Sequence, residues 1–382
     1  MNKTDDQIFS EIKYARRKYY LEDSVESREM ALANNATVSD EARRIHKESI
    51  CIDTCTFYLE SYNWILENSG ITGLNCTVPG VQDSAGDAMR NIIDYYQIIR
   101  DNEEYLMIEH ADDLVKAKEQ GKIGIILGAQ SSEFLYHNDL FASVEAFAKL
   151  GIRIAQIAYN HGTFAGDGVT AGKADGGVTE EGITLIKAME KFGITVDLSH
   201  VGERTALTAL DNTSKPAICS HSNPIALFNN PRNISDELAK KCASLGGVVG
   251  ASSYPMLLWD GENFPTIERF VDTVVYYVNL VGIDHVGIGQ DSSAHPGSYP
   301  HRDSLHFANL IRNSPIGFQN TIAYKSVAAG RDPLLCCSTE GLSGLANFVN
   351  IVEYMLKRGF KESEIKKVLG ENWLRIFRET WK

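Results

Sequence analysis

The chain has 382 residues, 43% hydrophobic and 23% charged, a globular composition that excludes a disordered or collagen-like protein. Lys and Arg number 37 against 50 Asp and Glu, and the net charge of −13 opposes binding to nucleic acid or anionic lipid. No run approaches the roughly 20 apolar residues of a membrane span. The first thirty residues hold no apolar stretch like that of a secretory signal, and no hydrophobic C-terminal tail suits a lipid anchor. Seven cysteines without CxxC spacing fit reduced thiols. A cytoplasmic enzyme without membrane or nucleic-acid partners is expected.

In chain order, residues 1–48 are rich in Glu, Lys, Arg and Ala and predict an N-terminal helical extension. Eight short apolar runs follow, at 50–57, 71–80, 123–130, 152–160, 194–200, 216–222, 247–255 and 285–291. Their near-continuous Val, Ile, Leu and Ala predict strands buried on both faces, as in a parallel sheet. Helical stretches lie between most of them, at 82–100, 110–120, 140–150, 179–192, 203–211, 234–245 and 266–280. Several end on glycine, Gly121 and Gly193 among them, as a left-handed cap requires. An irregular excursion, 292–338, follows the eighth run, and the chain closes with helices at 341–358 and 361–369 and the segment ENWLRIFRETWK. The fold class is α/β, a (β/α)8 TIM-type barrel forming one domain over 49–382. An open doubly wound sheet is the structural alternative, but no GxGxxG or Walker A loop follows the first run.

Barrels build active sites on the C-terminal ends of their strands. Here those ends carry Asp53, Cys55 and Phe57, then Gln130, Tyr159-Asn160-His161, His200, His221 and Asp291. A single strand-end histidine is most simply structural. Two of them on adjacent strands can hold a divalent ion, most commonly zinc, through neutral ring nitrogens. Asp291 could then take a proton from a water acidified by the ion and pass it to a leaving amine, the work of an amide hydrolase. Cys55 is either a soft thiolate donor or a small buried packing residue.

The segment GITVDLSHVGERTALTALDNTSKPAICSHSNPIALFNNPRNISDE closely resembles the membrane dipeptidase (renal dipeptidase) family of the amidohydrolase superfamily. GIDHVGIGQD and RGFKESEIKKVLGENWLRIF carry the resemblance on, from about residue 46 to the C-terminus. The likeness implies a (β/α)8 barrel, usually a homodimer, hydrolysing dipeptides at a two-zinc centre. His200 and His221 match ligands of the second metal, Arg232 matches the arginine that binds the substrate carboxylate, and Asp291 matches the general acid/base. Four positions depart from the pattern. Cys55 and Phe57 stand where the family has the His and Asp that bind the first zinc, neutral Gln130 replaces the bridging glutamate, and Tyr159 replaces a substrate-side histidine. Phenylalanine ligates nothing, and an amide oxygen bridges two cations poorly.

The expected site is therefore a half-site. His200 and His221, with Gln130 and Cys55 as weaker candidates, surround zinc or another divalent ion, one per chain or none. Asp291 and Tyr159 handle protons, and Arg232, Asn160 and Tyr159 contact a small carboxylate-bearing amide. Two other functions fit the same residues: a metal-independent isomerase or lyase, and a degenerate hydrolase that only binds a small molecule. Cys336-Cys337 reads as a packing pair, His161, Glu133, His295 and His301 as solvated loop residues, and Trp373 as core.

Overall fold

The apolar runs pair as parallel strands because both of their faces are covered, one by helices and the other by the barrel interior. The structure, a computed structural model, describes residues 37–57, 69–260, 263, 265–293, 339–342 and 344–381. Readings that fall on 1–36 and 294–338, including His295, His301 and Cys336-Cys337, lie outside the described residues.

The strands are β1 (Ile52–Phe57), β2 (Gly73–Thr77), β3 (Tyr105–Met107), β4 (Ile123–Ala129), β5 (Ile152–Gln156), β6 (Thr195–Asp197), β7 (Ile218–Cys219), β8 (Val248–Ala251), β9 (Val286–Ile288) and β10 (Ser292–Ser293). They pair in the order β10-β1-β2-β4-β5-β6-β7-β8-β9, with β3 added to β4. β9 lies in the eighth run and pairs with β8, while β10, the first two residues of the stretch expected to be irregular, pairs with β1 at Thr56↔Ser292 and Phe57↔Ser293. That closes the ring as a TIM-type barrel. Each expected helix between strands is present, from Ala85–Arg100 to Ile267–Val281. Ser84 and Asp87 form a reciprocal capping box at the first, and Gly121 and Gly193 end two others at φ of 65° and 75°.

Three differences from the sequence expectation have physical causes. The strands are shorter than the apolar runs, since 157–160, 198–200 and 220–222 leave the ladder to present side chains at the barrel mouth. β3 is only three residues long, too short to show a period. The last two helices are continuous, Glu362–Lys366 running through a π-turn (Lys367–Glu371) into Asn372–Thr380. A Cβ at Gly370 would stand 2.3 Å from the Ile50 carbonyl oxygen, so the turn lies hard against the start of β1.

The final helix fills the N-terminal end of the barrel. Trp373 is fully buried among Ile52, Ile126, Ile154, Ile218 and Val248, one residue from each of five strands. Its indole N–H donates to the Ile288 carbonyl at 3.2 Å. Its ring occupies the space that side chains at Gly250 and Gly287 would need. Trp373 is core, as expected, and it is the plug of the barrel.

Candidate active site

At the opposite end the interior turns polar. β6 ends in Asp197, and three residues later His200 sits at φ 68°. Asp291, just after β9, sits at φ 56°. Among the described residues these are the only non-glycine positions with positive φ. Such conformations cost about 1–3 kcal/mol each and persist where the surroundings dictate them, commonly at functional sites.

His200 and His221 meet with their Nε2 atoms 3.0 Å apart. His200 Nδ1 lies 2.7 Å from the Asn160 side-chain oxygen, which only accepts, so this ring carries its proton on Nδ1. His221 Nδ1 lies 2.6 Å from Ser220 Oγ, whose own hydrogen is donated to Asp197 at 2.5 Å. Ser220 must therefore accept from His221, which also carries its proton on Nδ1. Both Nε2 lone pairs then point at each other. Two facing lone pairs repel unless a cation lies between them. Burial pushes both imidazoles well below their ordinary pKa, and the Arg232 charge pushes them further, so a shared proton is a poor candidate. Neutral imidazoles with the second nitrogen hydrogen-bonded are the usual state of metal-ligating histidine. The residues present fit one divalent ion.

These rings are held firmly. Tyr159 stacks on His200 at 3.9 Å between ring centroids. The Asn160 carbonyl accepts from Thr170 N–H and Oγ–H at 3.0 and 2.6 Å. Asp197 also accepts from the backbone N–H groups of Ser199 and Ser220 and from the Gln156 amide.

Cys55 lies in β1 where the register shifts between Asp53 and Thr56, a bulge of the kind that re-aims side chains. Its thiol donates to Asp291 Oδ1 at 3.4 Å and accepts from Gln130 Nε2 at 3.3 Å. Gln130 Nε2 also donates to Thr77 Oγ1 at 2.9 Å, while its Oε1 is buried without a partner. Donor atoms of Cys55, His221 and Asp291 lie within 4.8 Å of one another. Burial raises the Asp291 pKa to about 6, against the opposing pull of Arg232 and the Cys55 thiol. Burial likewise lifts Asp53 to about 7, although its Oδ1 accepts from the N–H groups of Cys55 and Gln290.

Arg232 is buried, donating from Nη1 to Ser222 Oγ and from Nη2 to the His221 carbonyl, both at 2.8 Å. Its Nε has no hydrogen-bond partner. Asp291 and Asp197 act on its charge from a distance without pairing with it, which leaves the guanidinium suited to a ligand carboxylate. Of the residues singled out from sequence, His200, His221, Cys55, Gln130, Asp291, Tyr159, Asn160 and Arg232 are linked by these contacts and charges. His161 lies on a loop and partly exposed, with its Nε2 3.0 Å from Glu133 Oε1. Asp197 and Ser220 escaped notice, although the Asp of DLSH and the Ser before His221 were there to be read.

The sequence of residues 13–313 matches the profile of the membrane dipeptidase family (peptidase family M19). The chain belongs to the membrane dipeptidase family. The match begins upstream of residue 46, so the family likeness takes in part of the N-terminal stretch expected to lie outside it. An amidohydrolase from Pseudomonas aeruginosa is similar in structure at TM-score 0.76 and 32% identity, covering 89% of this chain and 99% of that one. A metallopeptidase from Rhodobacter sphaeroides, crystallised with a phosphinate mimic of the dipeptide L-Ala-D-Ala, shares the fold at TM-score 0.69 and 17% identity, covering 87% and 100%. Among curated proteins, dipeptidase tcpJ of Claviceps purpurea (strain 20.1) is 25% identical over 294 residues, 77% of this chain and 58% of its own length. The uncharacterized dipeptidase C965.12 of Schizosaccharomyces pombe (strain 972 / ATCC 24843) is 32% identical over 201 residues, 51% of this chain and 48% of its own. The chain thus spans about half the length of these curated relatives. Among the described residues no helix is long and apolar enough to cross a membrane.

Proposed function

We propose that the chain hydrolyses a small amide or dipeptide bearing a free carboxylate, using a single divalent ion between His200 and His221. The observation that carries this is the pair of Nε2 atoms facing each other at 3.0 Å with both ring protons committed elsewhere. The donor set supports zinc, and it supports one ion rather than two, because Gln130 is neutral and Phe57 offers no donor. When bound, the ion would supply Lewis acidity at the amide carbonyl.

The protein's own residues do the rest. Arg232 holds the substrate carboxylate through the guanidinium edge left free at Nε. Asp291, with its pKa near 6, accepts a proton from the attacking water and returns it to the leaving amine. Tyr159 and Asn160 fix His200 and line the substrate side. Free Cys51, Cys55, Cys76, Cys219 and Cys242 support a reducing, cytoplasmic setting. The family resemblance supports a homodimer.

Dipeptides and their C-terminal amides should be offered to zinc- or cobalt-loaded protein. Turnover is expected only with the free carboxylate. Arg232→Lys should raise KM roughly 10–100-fold at unchanged melting temperature, since lysine keeps the charge and loses the planar fork. Absence of turnover on every dipeptide by metal-loaded protein, or equal turnover of the amides, would overturn the proposal.

A further inference from the structure

We propose that Cys55 is a thiolate donor to the ion held by His200 and His221, making a mixed sulfur and nitrogen site where the family resemblance places a histidine. The inference rests on the reading that an ion is held there, and it adds a ligand of different chemistry. Cys55 is buried beside His221 and Asp291 with donor atoms within 4.8 Å, and its side chain faces polar groups. Cys51 and Cys242 behave differently: Cys51 turns its thiol to the His46 and Ser49 carbonyls, and Cys242 to Ala217 and Val248. Those are packing thiols bonded to backbone.

Cys55 instead sits between an acceptor and a donor. Asp291 Oδ1 receives its S–H and Gln130 Nε2 points an N–H at the sulfur; burial and the Asp291 charge keep the thiol protonated in the absence of an ion, so a cation is needed to draw the proton off. Binding breaks the S–H bond as the sulfur–metal bond forms. The proton passes to the Asp291 carboxylate and from there to solvent. The bulge in β1 and the Cys55 N–H bond to Asp53 at 3.0 Å hold the sulfur in place. Gln130 Oε1, buried and without a partner on the same amide, is a second sign that this corner is built around something not protein. A thiolate beside two imidazoles selects zinc, cobalt or cadmium over magnesium and manganese.

The probe is cobalt(II) added to the metal-free full-length protein under a phosphine reductant. One equivalent should bind with visible ligand-field bands and a near-ultraviolet thiolate-to-cobalt charge-transfer band. Cys55→Ser should keep the melting temperature and lose the near-ultraviolet band, whether or not cobalt is retained. Zinc-loaded wild type needs no variant: X-ray absorption should show one sulfur at about 2.3 Å beside nitrogens at about 2.0 Å. Cobalt bound through ligand-field bands alone, a charge-transfer band that survives Cys55→Ser, or a zinc shell without sulfur overturns the thiolate and leaves the histidine site standing. No stoichiometric cobalt at all overturns both.

Discussion

The two ends of the barrel are built on opposite principles. At the N-terminal end, Trp373 fills the interior against aliphatic residues from five strands, and its one polar atom is satisfied by the Ile288 carbonyl. At the C-terminal end, several buried polar atoms lack a hydrogen-bond partner: Asp53 Oδ2, Gln130 Oε1, Gln156 Oε1, Arg232 Nε and Gln290 Nε2. An apolar plug contributes stability without specificity, since its dispersion and transfer terms are non-directional. Unsatisfied polar groups cost stability and are tolerated where a ligand completes them. The same strands serve both ends, so the plug offsets what the mouth costs.

Separating the two ends by mutation should therefore separate activity from stability. The largest effect is expected for Asp291→Asn, which keeps shape and cannot accept a proton at neutral pH. kcat should fall about 10²–10⁴-fold with melting temperature and bound metal unchanged. If metal content falls with kcat, Asp291 acts as a ligand instead. Trp373→Ala should do the reverse, lowering unfolding free energy by about 3–5 kcal/mol while kcat per folded molecule stays near wild type. Denaturant unfolding and active-site-normalised kinetics on the same preparation check both halves, and a loss of kcat equal to that of Asp291→Asn would show that the ends are not independent.

The smallest effect sharpens the comparison within the mouth. Ser220→Ala removes the acceptor that keeps the His221 proton on Nδ1, without touching any proposed ligand atom. Metal affinity should fall roughly 10–100-fold, as for other groups that orient a ligating imidazole. Competition with a chromophoric chelator measures it. An unchanged affinity would show that the tautomer is set by something other than Ser220.

How much of this was legible beforehand follows the same division. Apolar runs between amphipathic stretches gave the strands, because a parallel sheet buried on both faces writes itself into sequence as continuous Val, Ile and Leu. The histidines and Asp291 were visible because strand ends in a barrel share one mouth. β3 was not visible, having three residues and no period to show. Asp197 and Ser220 were missed because their role lies in a hydrogen-bond direction: only the geometry shows that Ser220 has given its proton to Asp197 and must accept from His221. Trp373 was legible as core, but its place under Gly287 depends on a contact between distant parts of the chain.

The ring closes through the eighth run and the two residues after it, and closure has a consequence for how the site is assembled. Cys55 and Asp291 are 236 positions apart, and Asp53 and Gln290 are 237 apart. Contacts that enclose so much chain carry a large loop entropy and form slowly compared with neighbouring strand pairs. A nascent or refolding chain with its first seven staves assembled already owns both histidines and Arg232, yet lacks Asp291, the carboxylate proposed to move the proton. On the proposed mechanism, catalytic competence is thus tied to the final act of folding, whereas the two histidines are in place earlier.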